Sequence, residues 1–206
     1  MPEFTAKDIQ RLRQAAGVGM MDAKKALTEA GGDFDQAFQI LREKGLAAAA
    51  KRADRAATEG AIGHYLHVQS DRPVLGVLVE LACETDFVAK SPEFLEVAND
   101  LAMHVAWGNP SWIRRDDVPS DVVENESEII AKQAASEGKP EHIVPKIVEG
   151  RLESFYREHV LYDQEFVNKE KFEGTVEEYV TRLAAKMGEN IGVRRIARLA
   201  VGEQTD

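Results

Sequence analysis

Hydrophobic positions follow a helical period over the first 45 or so residues, alternate like strands shortly after residue 60, and return to a helical period through the long middle of the chain. The N-terminal stretch predicts three short helices. Thr5 or Asp8 can open the first, which carries Ile9 and Leu12 at helical spacing and is broken by Gly17-Val18-Gly19. The second runs from about Met21 to Ala30, with Asp22 in its first turn, and Gly31-Gly32 ends it. Asp33 then caps a third helix bearing Phe34, Ala37, Phe38 and Leu41, which Gly45 is expected to stop. Such a bundle is barely large enough to fold alone and suits an interaction module better than an active site. Residues 46–59, rich in alanine and charge, predict a linker helix.

At Gly60 the period changes to two. GAIGHYLHV and VLGVLVELAC predict two strands, with Ile62, Leu66 and Val68 on one face of the first. Leu75, Val77, Val79 and Leu81 share a face of the second, and Gln69 to Pro73 form the hairpin loop. A helix follows from about Pro92 to Trp107, with Phe94, Leu95, Ala98, Leu101, Ala102 and Val105 on one side. Two longer helices are expected over about 119–138 and 140–160, separated by Gly138-Lys139-Pro140. Helices of ~20 residues are rods near 30 Å long, and a tight turn makes them an antiparallel hairpin. Pro145 is expected to kink or delay the second rod. Residues 161–174 read as extended, Thr175 opens a last helix that Gly188 to Asn190 close, and IGVRRIARLAV reads as a final strand with imperfect alternation.

The expected class is α+β. It comprises an N-terminal three-helix module (1–45), a linker helix (46–59) and a core of a small antiparallel sheet covered by helices (60–206). From the core a helical hairpin protrudes at about 119–160.

Composition narrows the function. The net charge of −10 argues against broad nucleic-acid binding, which needs lysine and arginine to replace phosphate counterions. The single cysteine, Cys83, cannot build an internal disulfide framework or a multi-cysteine zinc site. The opening MPEFTAKDIQRLRQ has no apolar run, so no signal peptide is expected, and no apolar stretch approaches the ~20 residues that span a bilayer. A cytoplasmic protein without membrane contact is the simplest expectation.

Catalytic and metal chemistry find little support. His64 and His67 stand three apart on a strand and point to opposite faces, so they do not share an ion. Cys83 has no base partner along the sequence. The Gly17-Val18-Gly19 run precedes a helix, but no strand leads into it, so a tight turn explains it better than a phosphate loop. Two segments look less generic. Met20 and Met21 are neighbours, which cannot both face one core, so core packing and partner contact both remain open. In ELACETDFVAK, residues 80–90, Phe87 is either a core residue or one presented outward with Asp86, whose unpaired burial would be costly.

These segments carry a resemblance. LRQAAGVGMMDAKKAL (12–27) and ELACETDFVAK resemble the signature segments of the bacterial elongation factor Ts family. AMHVAWGNP, EGKP, EGRL and KMGENIGVRR also resemble family segments in order, so the likeness covers essentially the whole chain. Ala16 stands where the family usually has threonine or serine, Ala82 where asparagine is common, and Pro145 where a helix former is usual. The resemblance implies a guanine-nucleotide exchange factor for elongation factor Tu, active in translation elongation, with no covalent chemistry and no cofactor. It implies a UBA-like N-terminal module that docks on the GTPase through Met20 and Met21. Thr85, Asp86, Phe87 and Val88 are implied to enter the GTPase near its magnesium site. The chain is similar to the short form of the family, with one core subdomain, which implies a homodimer.

Overall fold

A computed structural model describes residues 4–52 and 54–203. Its contacts divide into two compact units, through both of which the sheet strands run. The first comprises Met1–Gly63, Val79–Asp100 and Glu178–Arg194; the second comprises His64–Leu78, Leu101–Glu177 and Arg195–Asp206.

In the first unit, helix α1 (Ala6–Ala16) opens on a capping box. Thr5 Oγ1 accepts from the Asp8 amide at 3.3 Å, and the Thr5 amide donates to Asp8 Oδ2 at 2.7 Å. Gly17 closes the helix at φ 66°, a left-handed conformation that glycine adopts without strain. Helices α2 (Met20–Glu29) and α3 (Phe34–Ala50) complete the bundle. Leu12, Ala23, Ala26, Leu27, Ala30, Ala37 and Leu41 form its buried core, flanked by Phe4, Ile9, Phe34 and Phe38. The helix expected to stop at Gly45 continues through it to Ala50. A mid-helix glycine costs only about 1 kcal/mol, and the alanines that follow favour continuation. The alanine-rich segment is therefore the end of α3, and residues 54–58 lead as turn and coil into the first strand, in place of a separate linker helix.

Strands β1 (Glu59–Gln69), β2 (Arg72–Cys83) and β3 (Gly192–Ala200) form one sheet in the order β1-β2-β3. The hairpin turn is shorter than expected. Ser70 and Asp71 alone make it, at φ 50° and 62°, the paired positive values of a two-residue turn matched to strand twist. Val201 donates to the Val74 carbonyl at 2.9 Å, so the end of β3 meets the start of β2 and the pairing is antiparallel. The buried face of β2 carries Val77, Val79 and Leu81, as the alternation predicts. The apolar face of β1 does not join it, because Ile62, Leu66 and Val68 are all exposed. On β3 the alternation breaks at Arg194 and Arg195, two successive exposed residues.

Helix α4 (Asp86–Ala89) follows β2 directly, and α5 (Pro92–Gly108) buries Phe94, Ala98, Leu101, Ala102 and Val105, while Leu95 of the predicted face is exposed. Gly63 allows β1 to lie against α5, since a Cβ there would sit 1.9 Å from the Ala98 carbonyl oxygen. Helix α8 (Val176–Met187) contributes Tyr179, whose hydroxyl donates to Asp100 Oδ2 at 2.7 Å.

In the second unit, α6 (Ser120–Ser136) and α7 (Val144–His159) pack against each other as a helical hairpin. Pro145 lies in the first turn of α7, where its missing N–H costs nothing. It delays the helix, after a 3-10 turn at Glu141–Ile143, rather than kinking it. Arg115 ties the base of this hairpin with paired 2.8 Å bonds to Glu153 and a further bond to Asp163, and stacks on Tyr156 at 4.6 Å. The segment 161–174 is less extended than expected, beginning with a 3-10 turn at Leu161–Asp163. Buried His104 receives the Val167 amide on Nδ1 at 3.2 Å, which leaves Nε2 as the donor to Gln164 Oε1 at 2.9 Å. Gln164 Nε2 in turn donates to the carbonyls of Gly108 and Glu158.

Candidate partner-binding site

The strand β2 ends on Cys83, fully buried, and the chain turns within two residues into α4. Thr85 caps that helix by accepting the Val88 amide on Oγ1 at 3.3 Å. A four-residue helix has almost no internal hydrogen bonding of its own. What fixes it is packing from Val88 and Ala89, both buried, together with bonds from outside. Cys83 Sγ donates to the Thr85 carbonyl at 3.2 Å. Burial, with the nearby Glu189 charge, pushes the Cys83 thiol up to about 11, so at neutral pH it is a neutral donor and not a nucleophile.

This frame decides the open reading of Phe87. The ring is 85% exposed while its neighbour Val88 is buried. A large aromatic residue held in water on an ordered turn is unusual, because burial is its ordinary fate. Asp86 is likewise exposed and pairs with Lys90, one helical turn on. The Lys90 hydrogen bond holds the Asp86 carboxyl below the usual carboxylate range, so it is ionised at neutral pH. Of the four residues Thr85 to Val88, two anchor the turn and two are displayed.

Met20 and Met21 open α2 and are 47% and 63% exposed. Neither belongs to the bundle core, which α2 supplies through Ala23, Ala26 and Leu27 instead. Small alanines at the contact let the helices approach, while the two flexible, polarizable side chains stay at the surface.

One set of residues escaped the sequence reading. Glu189 Oε2 accepts the amides of Glu84 at 3.0 Å and Thr85 at 3.2 Å, and its Oε1 accepts the Thr85 hydroxyl at 2.6 Å. No local pattern announces a partner 104 residues away; the segment KMGEN stood out as the close of the last helix and for its likeness to a family segment, neither of which points to the Thr85 turn.

His64 is exposed and His104 buried among its own partners. Among the described residues no group of three or more His, Cys, Asp or Glu converges as a metal site, and no helix is long and apolar enough to cross a membrane.

The displayed turn and the helical module lie in a chain similar along nearly its whole length to known proteins. A family model described as elongation factor TS matches residues 7–173. Elongation factor Ts of Carboxydothermus hydrogenoformans is 50% identical over 200 residues, covering 97% of this chain and 90% of that protein. Elongation factor Ts of Thermosipho melanesiensis is 48% identical over 200 residues, covering 97% of this chain and all of that protein. Elongation factor Ts of Geobacter sulfurreducens is 47% identical, with 97% and 90% covered. With half of all positions shared across almost the full length, and with the segments around Met20 and Phe87 inside the matched span, the chain belongs to the elongation factor Ts family.

Proposed function

We propose that this chain is a guanine-nucleotide exchange factor for elongation factor Tu in the cytoplasm. It binds the GDP form, displaces Mg²⁺ and promotes GDP release so that GTP can bind. The observation that carries this reading is Phe87, an exposed ring on a turn whose backbone is fastened on several sides. Asp86 beside it brings a negative charge suited to competing for groups that orient a cation. Met20 and Met21 supply a docking surface, and the chain itself performs no covalent step.

Exchange requires the factor to favour the nucleotide-free partner, and the coupling is reciprocal. A 10⁴-fold weakening of nucleotide corresponds to about 5.5 kcal/mol. Burying a phenylalanine ring removes roughly 150–250 Å² from water, an upper bound of about 4–6 kcal/mol at 25 cal/mol per Å². The ring is the right order of magnitude, and the wider interface supplies the remainder against ordering costs.

The assembly is a homodimer in this reading. Leu66, Val68, Leu78 and Leu199 are exposed on the sheet strands, an apolar face of the kind that marks association.

Release of labelled GDP from elongation factor Tu, followed by stopped flow, tests the exchange reading. Wild-type chain is expected to accelerate release, and Phe87→Ala to lose at least tenfold of that acceleration. Binding with no effect on release favours a plain adaptor and contradicts exchange.

A further inference from the structure

Phe87 is useful as a wedge only if its turn resists being pushed back, and a four-residue helix cannot supply that resistance alone. The loop between α8 and β3 supplies it. The Glu189 carboxylate takes three donors from the Thr85 turn: the Glu84 and Thr85 amides and the Thr85 hydroxyl. That hydroxyl has one proton to give. It gives it to Glu189 and keeps a lone pair for the Val88 amide, so a single oxygen couples Glu189 to the helix cap. The exchange is mutual. Glu84 Oε1 accepts the Asn190 amide at 2.6 Å and pairs with Arg55 at 3.4 Å. Asn190 Nδ2 then donates to the Arg55 carbonyl at 2.8 Å. Two successive residues of one loop thus clasp two successive residues of the other.

We infer that Glu189 is a positioning residue for nucleotide exchange, holding the Thr85 turn so that Phe87 and Asp86 are presented in one fixed orientation. The inference rests on the exchange reading of Phe87 given above. Glu189 need not touch the partner; it acts through Thr85. Charge-assisted bonds to backbone amides are the stronger kind, and here they fall on the cap residue Thr85 and on Glu84 just before it. A glutamine fits the same space and can keep the two amides on its oxygen, but its Nε2 donates to the Thr85 hydroxyl instead of accepting from it, and the negative charge that strengthens all three bonds is gone.

The test measures GDP release from elongation factor Tu over a range of chain concentrations. It compares wild type, Glu189→Gln, Glu189→Ala, Phe87→Ala and the double variant Glu189→Ala with Phe87→Ala. The Glu189 variants are expected to lower the maximum release rate at least fivefold, with the half-saturating concentration changed less than twofold. Glu189→Gln is expected to keep the wild-type melting temperature within a few degrees, which separates positioning from folding. The double variant is expected to release no more slowly than Phe87→Ala alone. Glu189 variants whose maximum rate stays within twofold of wild type would overturn the inference, as would losses that add to those of Phe87→Ala. If Phe87→Ala itself matches wild type, the wedge reading falls and takes this inference with it. If Phe87→Ala is impaired while both Glu189 variants are not, only the positioning role falls.

Discussion

At Phe87, Met20 and Met21 the ordinary rule that large apolar side chains are buried does not hold, and in each case the neighbours do the burying. Val88 and Ala89 anchor the short helix beneath Phe87, and Ala23, Ala26 and Leu27 fill the bundle beneath the methionines. Surface truncation away from the core usually changes stability by no more than about 0.5 kcal/mol. Replacing Met20 and Met21 together by alanine is therefore expected to leave the melting temperature nearly unchanged. It should weaken binding to elongation factor Tu at least tenfold by titration calorimetry, with the maximum release rate preserved. Unaltered affinity would remove the pair from the interface. Sequence alone left these residues open, because periodicity assigns a face but not what covers it. The Thr85 turn was legible as a polar interruption after a buried strand, whereas its fastening by Glu189 depends on a contact between distant segments that no local pattern encodes.

At the scale of elements, the pattern located the three strands and the longer helices to within a few residues where local signals agreed, but not the short helix α4, whose four residues are too few to show a period. Capping at Thr5, the positive-φ turn at Gly17 and proline in the first turn of α7 are such signals. It erred where two signals competed. Gly45 argued for a stop and the following alanines for continuation, and continuation won. On β1 the alternation of Ile62, Leu66 and Val68 holds, but on the exposed side, since alternation is the same whether a face meets a core or a partner. His104 binds α5 to the segment at 164–167 through its neutral form, with Nδ1 as an acceptor. Burial holds its pKa below the ordinary histidine value of about 6.5. Because the folded value lies below the unfolded one, its contribution is fully present above about pH 6.5 and is lost as the pH falls through the folded value. Glutamine at this position does not titrate. The stability advantage of wild type over His104→Gln, measured by urea denaturation, is expected to shrink steadily below about pH 6.5. An advantage independent of pH from 7.5 to 5 (roughly the window over which a histidine titrates) would show that His104 does not act as a neutral acceptor.

For the molecule as a whole, the proposal joins a docking module, a fixed wedge and an apolar sheet face that seats a second copy. Leu66, Leu78 and Leu199 give that face a hydrophobic character that is costly to leave in water, about 25 cal/mol for each Å² exposed. Sedimentation at micromolar concentration is expected to give twice the chain mass, and Leu66→Glu with Leu199→Glu to give the single-chain mass without loss of helix content. A wild-type chain that sediments only as a monomer would contradict the dimer. The central claim, that a rigid displayed ring drives nucleotide from the partner, is tested most directly by the maximum rate of GDP release at saturating chain. The account predicts that Phe87→Ala releases GDP at least tenfold more slowly than wild type while melting at the same temperature. Equal maximum rates for the two proteins would contradict it.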